Sequence, residues 1–337
     1  MNNNSEKGIF RKIVGAKEFT LIIALALSIT VFWLINKNYL STNNIRNIFN
    51  SAFVMGILAV GTACLLIGGK IDLSSGNTGM LAGIMLSLLL KAGYPWVPSF
   101  FLILLFGVAT GLMNAFFVNG LKFAPFISTL AVSAVYNGFA LILTKAQNMP
   151  ISTADYPGFI KLGTLNLGIF PLPFSIMVVL LAIYGVILYF TGFGRRIYMT
   201  GGNANAARLA GINTRRITTI LFANNSALAC LAGMLFASRM NMASPTSVTG
   251  SDLDAITAVI LGGVAFTGGT GGMFGVFIGI ILLTSFQNGL VVGGLDSYYQ
   301  VVAKGVLLIA ALILDYYREN ARLKSLKTGE TAKEERS

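Results

Sequence analysis

The chain is 337 residues long, 55% apolar and only 11% charged, with a mean hydropathy of +0.76, whereas soluble domains carry about 25% charged residues. An ordinary soluble globular protein is excluded. Histidine is absent, which removes imidazole metal sites and the Ser-His-Asp and Cys-His nucleophile pairs together, so neither a metal site nor a catalytic residue is expected. Net charge is +12, which in a soluble domain would point to nucleic acid. Here most Lys and Arg stand in three blocks, at the N-terminus, over 195–216 and in the C-terminal tail. Basic blocks beside apolar runs mark cytoplasmic segments, with lipid and not nucleic acid as the neighbour.

A bilayer-spanning helix needs about 20 mostly apolar residues, so roughly ten crossings with short connections fill the chain. The first is predicted over 19–36. The residues at its outer end, NKNYLSTNN, carry no small-residue cleavage pattern, so it reads as an uncleaved helix and not a signal peptide. The second and third runs, 47–69 and 73–90, are separated by almost nothing. The segment LLIGGKIDLSSGNTG at 65–79 places Lys70 and Asp72 in a polar turn, either a broken helix lining a solute path or a solvated cytoplasmic turn. Runs at 92–121, 123–144 and 162–194 come after these, with Cys64 and Cys230 inside apolar stretches as small buried hydrophobes and not a disulfide.

The largest inside loop comes next, GRRIYMTGGNANAARLAGINTRR at 194–216. Asn203 is placed to cap a short helix, ANAARLA supplies helix formers, and Gly211 is placed to end it in the left-handed conformation. One or two helical turns between basic flanks suit docking in a partner's groove; the alternative is a basic loop that only fixes topology. A further span is predicted at 217–238. The run 255–295 is too long for one crossing, and GGVAFTGGTGG at 262–272 is its break. The last span, 297–314, contains Lys304, which has to snorkel, face water or pair with a carboxylate, Asp252, Asp254 and Asp296 being the nearest acids.

Ten crossings from an inside N-terminus put 17 basic residues inside and six outside, with Lys304 left in the membrane. The expected fold is therefore an all-α polytopic membrane protein of about ten transmembrane helices with broken Gly-rich segments and both termini cytoplasmic. Residues 1–18 form a basic N-terminus, 19–315 a single membrane domain containing the loop 191–216, and 316–337 a charged tail. Gly76, Gly79 and Gly83 match Gly272, Gly275 and Gly279 at constant offset, which suits two structural halves and equally suits glycine used for close helix packing. Gly69-Lys70 lacks the upstream glycine of a phosphate loop, so the chain has no ATPase of its own.

Five ordered motifs, GGKIDLSSG at 68, APFISTLA at 124, FGRRIYMTGGNANAARLAGIN at 193, GSDLDAITAVILGGVAFTGGTGG at 250, and QNGL with QVVAKG at 287 and 300, resemble the membrane-spanning permease subunit of ribose-type sugar ABC importers over nearly the whole chain. The resemblance implies a bacterial cytoplasmic-membrane permease for a monosaccharide. It implies a separate ABC ATPase subunit that binds the ATP, a second permease copy or paralogue, and an extracytoplasmic sugar-binding protein. It assigns Gly202, Asn203, Ala206, Ala207, Arg208 and Gly211 to ATPase coupling, and Asp72, Leu73, Ser74, Gly262 and Gly263 to path-forming turns. Lys70, Ala204, Asn205 and Thr270 depart from the family pattern. No cofactor is expected. The rival reading is an ion-coupled secondary transporter of a small polar solute, with Asp72 and Lys304 as its coupling charges.

Overall fold

Apolar runs this long satisfy their backbone groups internally as helices, and the computed structural model, which describes residues 17–248 and 250–334, is built almost wholly of them. The expected basic segment 1–18 lies outside the described residues but for the backbone of its last two positions. Among the described residues thirteen helices succeed one another: α1 (Lys17–Ile35), α2 (Thr42–Ile67), α3 (Ser75–Lys91), α4 (Trp96–Ala115), α5 (Pro125–Thr144), α6 (Pro157–Thr164) and α7 (Leu172–Phe190); then α8 (Gly192–Gly202), α9 (Ala204–Leu209), α10 (Thr214–Met240), α11 (Ser251–Leu261), α12 (Met273–Val292) and α13 (Ser297–Glu334). Two-residue strands pair Met149–Pro150 with Met242–Ala243, and Asn166–Leu167 with Phe170–Pro171, both antiparallel.

Among the described residues, seven helices are long and apolar enough to cross a bilayer: α2, α4 with the π turn that extends it to Gly120, α5, α7, α10, α12 and the Tyr298–Tyr317 part of α13. The apolar part of α1 runs only from Phe19 to Ile35, α3 has 17 residues and α11 has 11. At 1.5 Å per residue α11 rises about 16 Å against a hydrocarbon core of about 30 Å. The predicted run 162–194 resolves into α6, a hairpin and α7, because Pro171 and Pro173 start a new helix where they cannot continue an old one.

Of these seven, α2 and α10 are the most enclosed; α5, α7 and α13 keep open apolar faces such as Ile142, Val179 and Ile309, as lipid-facing helices do. Glycine lets α10 be approached on two sides. A Cβ on Gly79 of α3 would sit 2.7 Å from the Ala229 carbonyl oxygen, and one on Gly111 of α4 would sit 2.4 Å from that of Phe222. The helices α2 and α10 run antiparallel, so Ile67 and Thr214 share one end of the bundle and Asn47 and Arg239 the other.

The two GlyGly pairs end their helices in the same way. Beyond Ile67, Gly69 takes φ +72°, its N–H donates to the Leu66 carbonyl at 2.8 Å and the Lys70 N–H to the Leu65 carbonyl at 2.9 Å. Beyond Leu261, Gly263 takes φ +86°, its N–H donates to Ile260 at 2.9 Å and the Val264 N–H to Val259 at 3.2 Å. Both are Schellman motifs, which need a left-handed residue and therefore favour glycine. The glycine repeat is thus partly a repeat of structure. It diverges in packing, for Gly79 and Gly83 of α3 lie against α10, whereas Gly275 and Gly279 of α12 lie against α11.

Candidate functional site

The polar turn after α2 is drawn into the bundle. Asp72 is 1% exposed and Ser74 fully buried. One Asp72 carboxylate oxygen, Oδ1, accepts from the Ser74 N–H at 2.8 Å and the Ser74 hydroxyl at 2.6 Å. The other, Oδ2, accepts from Asn225 Nδ2 of α10 at 3.0 Å. Asn114 of α4 donates to the Ser74 hydroxyl at 2.8 Å, and the Leu73 N–H donates to Thr129 of α5 at 3.1 Å. A buried carboxylate is tolerated when several donors replace its water. Here one short turn is tied to three helices. Asn114, Thr129 and Asn225 are site residues that sequence reasoning missed; the available signal was asparagine inside the apolar runs GLMNAF and FANNSA.

Both interrupted helices meet the basic loop. A Cβ on Gly201, in the last turn of α8, would lie 1.8 Å from the Ile67 carbonyl oxygen, and one on Gly268 would lie 2.9 Å from the Gly69 Cα. The Gly269 N–H donates to that same Ile67 carbonyl at 2.8 Å, and the Tyr198 hydroxyl donates to the Gly271 carbonyl at 2.7 Å. The first break, the second break and the end of α8 therefore touch backbone to backbone. Gly262 packs on α12, where a Cβ would be 2.6 Å from the Gly275 carbonyl oxygen.

From this junction the chain enters α9. The Asn203 side chain accepts from the N–H groups of Asn205 and Ala206, each at 3.0 Å, and Gly211 takes φ +79° just beyond the helix. Arg208 donates to the Asn205 side chain. Ala207 is 1% exposed, buried against its own chain, while Leu209 is 91% exposed. Gly202, Ala206 and Arg208 are exposed as well. Leu209 was not singled out in the sequence, since one leucine in ANAARLA does not reveal which way it points. Beside this helix lies a cavity of about 760 Å³ whose charged lining is Lys70, Lys122, Arg208 and Arg215, so Lys70 faces this basic mouth.

At the opposite end of the bundle a second cavity, of about 410 Å³, is lined by Asn47, Asn50, Arg239, Asp254, Gln287 and Lys304 among others. Lys304 Nζ donates to Asp254 Oδ2 at 2.7 Å. The pairing alternative thus holds for Lys304, with Asp254 of the three candidate acids. Asp72 and Lys304 have separate partners and do not form a pair. Among the described residues, no cluster of three His, Cys, Asp or Glu side chains is placed to hold a metal ion.

Residues 44–312 match the family described as "Branched-chain amino acid transport system / permease component". The chain is 34% identical over 294 residues to the ribose import permease protein RbsC of Bacillus subtilis, which covers 87% of this chain and 91% of that protein. With the ribose import permease protein RbsC of Haemophilus influenzae it shares 33% over 324 residues, 96% and 99% of the two chains. With the autoinducer 2 import system permease protein LsrC of Photorhabdus luminescens it shares 32% over 309 residues, 91% and 92% of the two chains. No solved structure matches the chain.

Proposed function

Because the chain belongs to the permease family that includes the ribose-type sugar ABC import permeases, and so is a multi-pass protein of the bacterial inner membrane, we propose that it forms the translocation path for a monosaccharide. It does so with a second permease copy or paralogue, receives the solute from an extracytoplasmic binding protein, and makes no covalent bond. ATP is bound and hydrolysed on a separate ATPase subunit, and this chain carries no cofactor. The chain enters the membrane ten times from a cytoplasmic N-terminus, α3 and α11 entering as short helices next to the breaks, and the C-terminus is cytoplasmic.

Transport proceeds by alternating access. The ATPase takes hold of α9, with Gly202, Asn203, Ala206, Ala207, Arg208 and Gly211 shaping and positioning the helix. The turns at Asp72, Leu73 and Ser74 and at Gly262 and Gly263 are the path-forming hinges that move with it. One observation carries this reading: an almost fully exposed Leu209 stands on a short capped helix, one residue away from the place where both helix breaks meet. Leucine at that exposure is wasted in water and useful in a partner's groove.

Leu209→Asp tests it. Losing an apolar anchor and burying an unpartnered carboxylate costs about 2–4 kcal/mol, enough to weaken docking roughly 30-fold or more. The permease should reach the membrane in normal amount, lose ATPase co-purification and lose uptake. Normal uptake by Leu209→Asp would show that α9 is only a topological loop.

A further inference from the structure

We propose that the cavity beside α9 binds a small polar anion carrying phosphate groups, with Lys70, Lys122, Arg208 and Arg215 as its ligating cations. Such a ligand is distinct from the transported solute, and the proposed function supplies only the side from which it arrives, the cytoplasm. The four cations come from four separate segments. Lys70 follows the helix stop after α2, Lys122 lies in the link between α4 and α5, Arg208 stands in the last turn of α9 and Arg215 in the first turn of α10. The cavity's volume of about 760 Å³ falls in the range of about 300–1,000 Å³ that small-molecule sites occupy.

None of the four has a carboxylate within salt-bridge distance among the described residues. The sequence offers none nearby, for no Asp or Glu occurs over 73–154 or 191–251. Asp72, two positions from Lys70, is 1% exposed, and its oxygens are taken by Ser74 and Asn225. Arg215 donates through Nε and Nη2 to the Asn119 carbonyl at 3.2 and 2.6 Å, and Arg208 donates to the Asn205 side chain. Both acceptors are neutral, so the guanidinium charges are held without being cancelled. Like charges gathered in one cavity repel, and an anion among them replaces that repulsion with charge-assisted hydrogen bonds. The start of α10 acts in the same direction: Thr214 and Arg215 line the cavity, and a helix N-terminus favours negative charge. The lining also narrows the ligand class. Val118 and Ala204 bring its only apolar side chains, so no bed exists inside for a hydrocarbon tail. A neutral sugar leaves the charges uncompensated, whereas phosphate oxygens take the arginine forks in pairs and the lysines as point charges. The same chemistry arrives on a soluble phosphate compound or on a phospholipid headgroup whose tails stay outside.

The probe is labelled inorganic pyrophosphate, measured by equilibrium dialysis against the full-length permease in phosphatidylcholine nanodiscs, alone and assembled with its ATPase. Wild type is expected to bind it saturably, and the double variant Lys70→Gln with Lys122→Gln about tenfold more weakly or worse. Lys70→Arg with Lys122→Arg, which keeps both charges, is expected to stay within about threefold of wild type. Arg196→Gln removes an exposed charge of α8 outside the cavity lining and is expected to stay within about twofold. A generally basic surface would not separate these variants. Phosphatidylglycerol added to the nanodiscs tells the two sources apart. An anionic bilayer repels pyrophosphate from every variant alike, so the readout is the ratio of wild-type to Gln-variant affinity. An unchanged ratio assigns the site to a soluble phosphate compound, and a ratio that collapses assigns it to the lipid headgroup. Wild-type binding no tighter than that of the Gln variant in phosphatidylcholine overturns the site. A difference that vanishes once the ATPase is assembled also overturns it and makes the cavity a receptor for acidic side chains of that subunit. Either result leaves the sugar reading standing.

Discussion

At the scale of single residues, Asp72, which the sequence leaves as either a path-lining or a water-facing acid, is buried and held by neutral donors. Its two oxygens accept from Ser74 and Asn225, while the Asn225 carbonyl oxygen is buried and has no partner. Asp72→Asn is therefore repairable: a flipped Asn225 amide accepts from the new side chain, and the cost should be about 1 kcal/mol. Asp72→Ala strands three donors at once and should cost about 3 kcal/mol or more. Thermal melting of the purified importer, with uptake as the second readout, should rank the two variants in that order; equal melting points would mean that the acidic turn is held by its backbone alone. The acid itself was legible in the sequence. Its partners were not, because Asn225 stands 153 positions away and only the fold brings it near. Lys304 obeys the same rule, with three candidate acids in the sequence and Asp254 chosen by the geometry.

Among the elements, the breaks were more legible than the helices they separate. GlyGly after an apolar run has a local physical meaning, a left-handed stop, and both pairs carry it out through the same hydrogen bonds. Helix length was less legible, since an apolar stretch does not state how much of it is extended, and α11 stops after 11 residues. The helix α8 also lay hidden, its glycines reading as a loop when their use is contact. Gly201 and Gly211 make that difference measurable. A Cβ on Gly201 meets the backbone of Ile67 at 1.8 Å, and backbone cannot move aside as a side chain does, so Gly201→Ala should abolish assembly or uptake outright. Gly211 has open space around it and only its φ of +79° resists a side chain, at about 1 kcal/mol. Gly211→Ala should thus lower the melting point by a few degrees and keep transport. If the two variants melt together, the junction at Ile67 is looser than its geometry.

For the whole molecule, the charge asymmetry predicts an orientation that labelling can test. In a background of Cys64→Ala and Cys230→Ala, both buried thiols whose loss leaves only small voids of about 1 kcal/mol each, Asn205→Cys should react with membrane-impermeant maleimide only after the cells are opened. Gln147→Cys, an exposed position next to the strand that pairs with Met242–Ala243, should react in intact cells. Labelling of position 205 from outside would invert the topology. With that orientation, the glycine junction acquires a mechanical meaning. Side chains in an interface are springs, taking up small displacements by changing rotamer. Where residues 67–69, 201–202 and 268–269 meet there are almost none. On the proposed coupling role of α9, a linkage without slack would pass a thrust on that helix to both broken helices in the same stroke, so the turns after α2 and α11 would move in step and not one after the other.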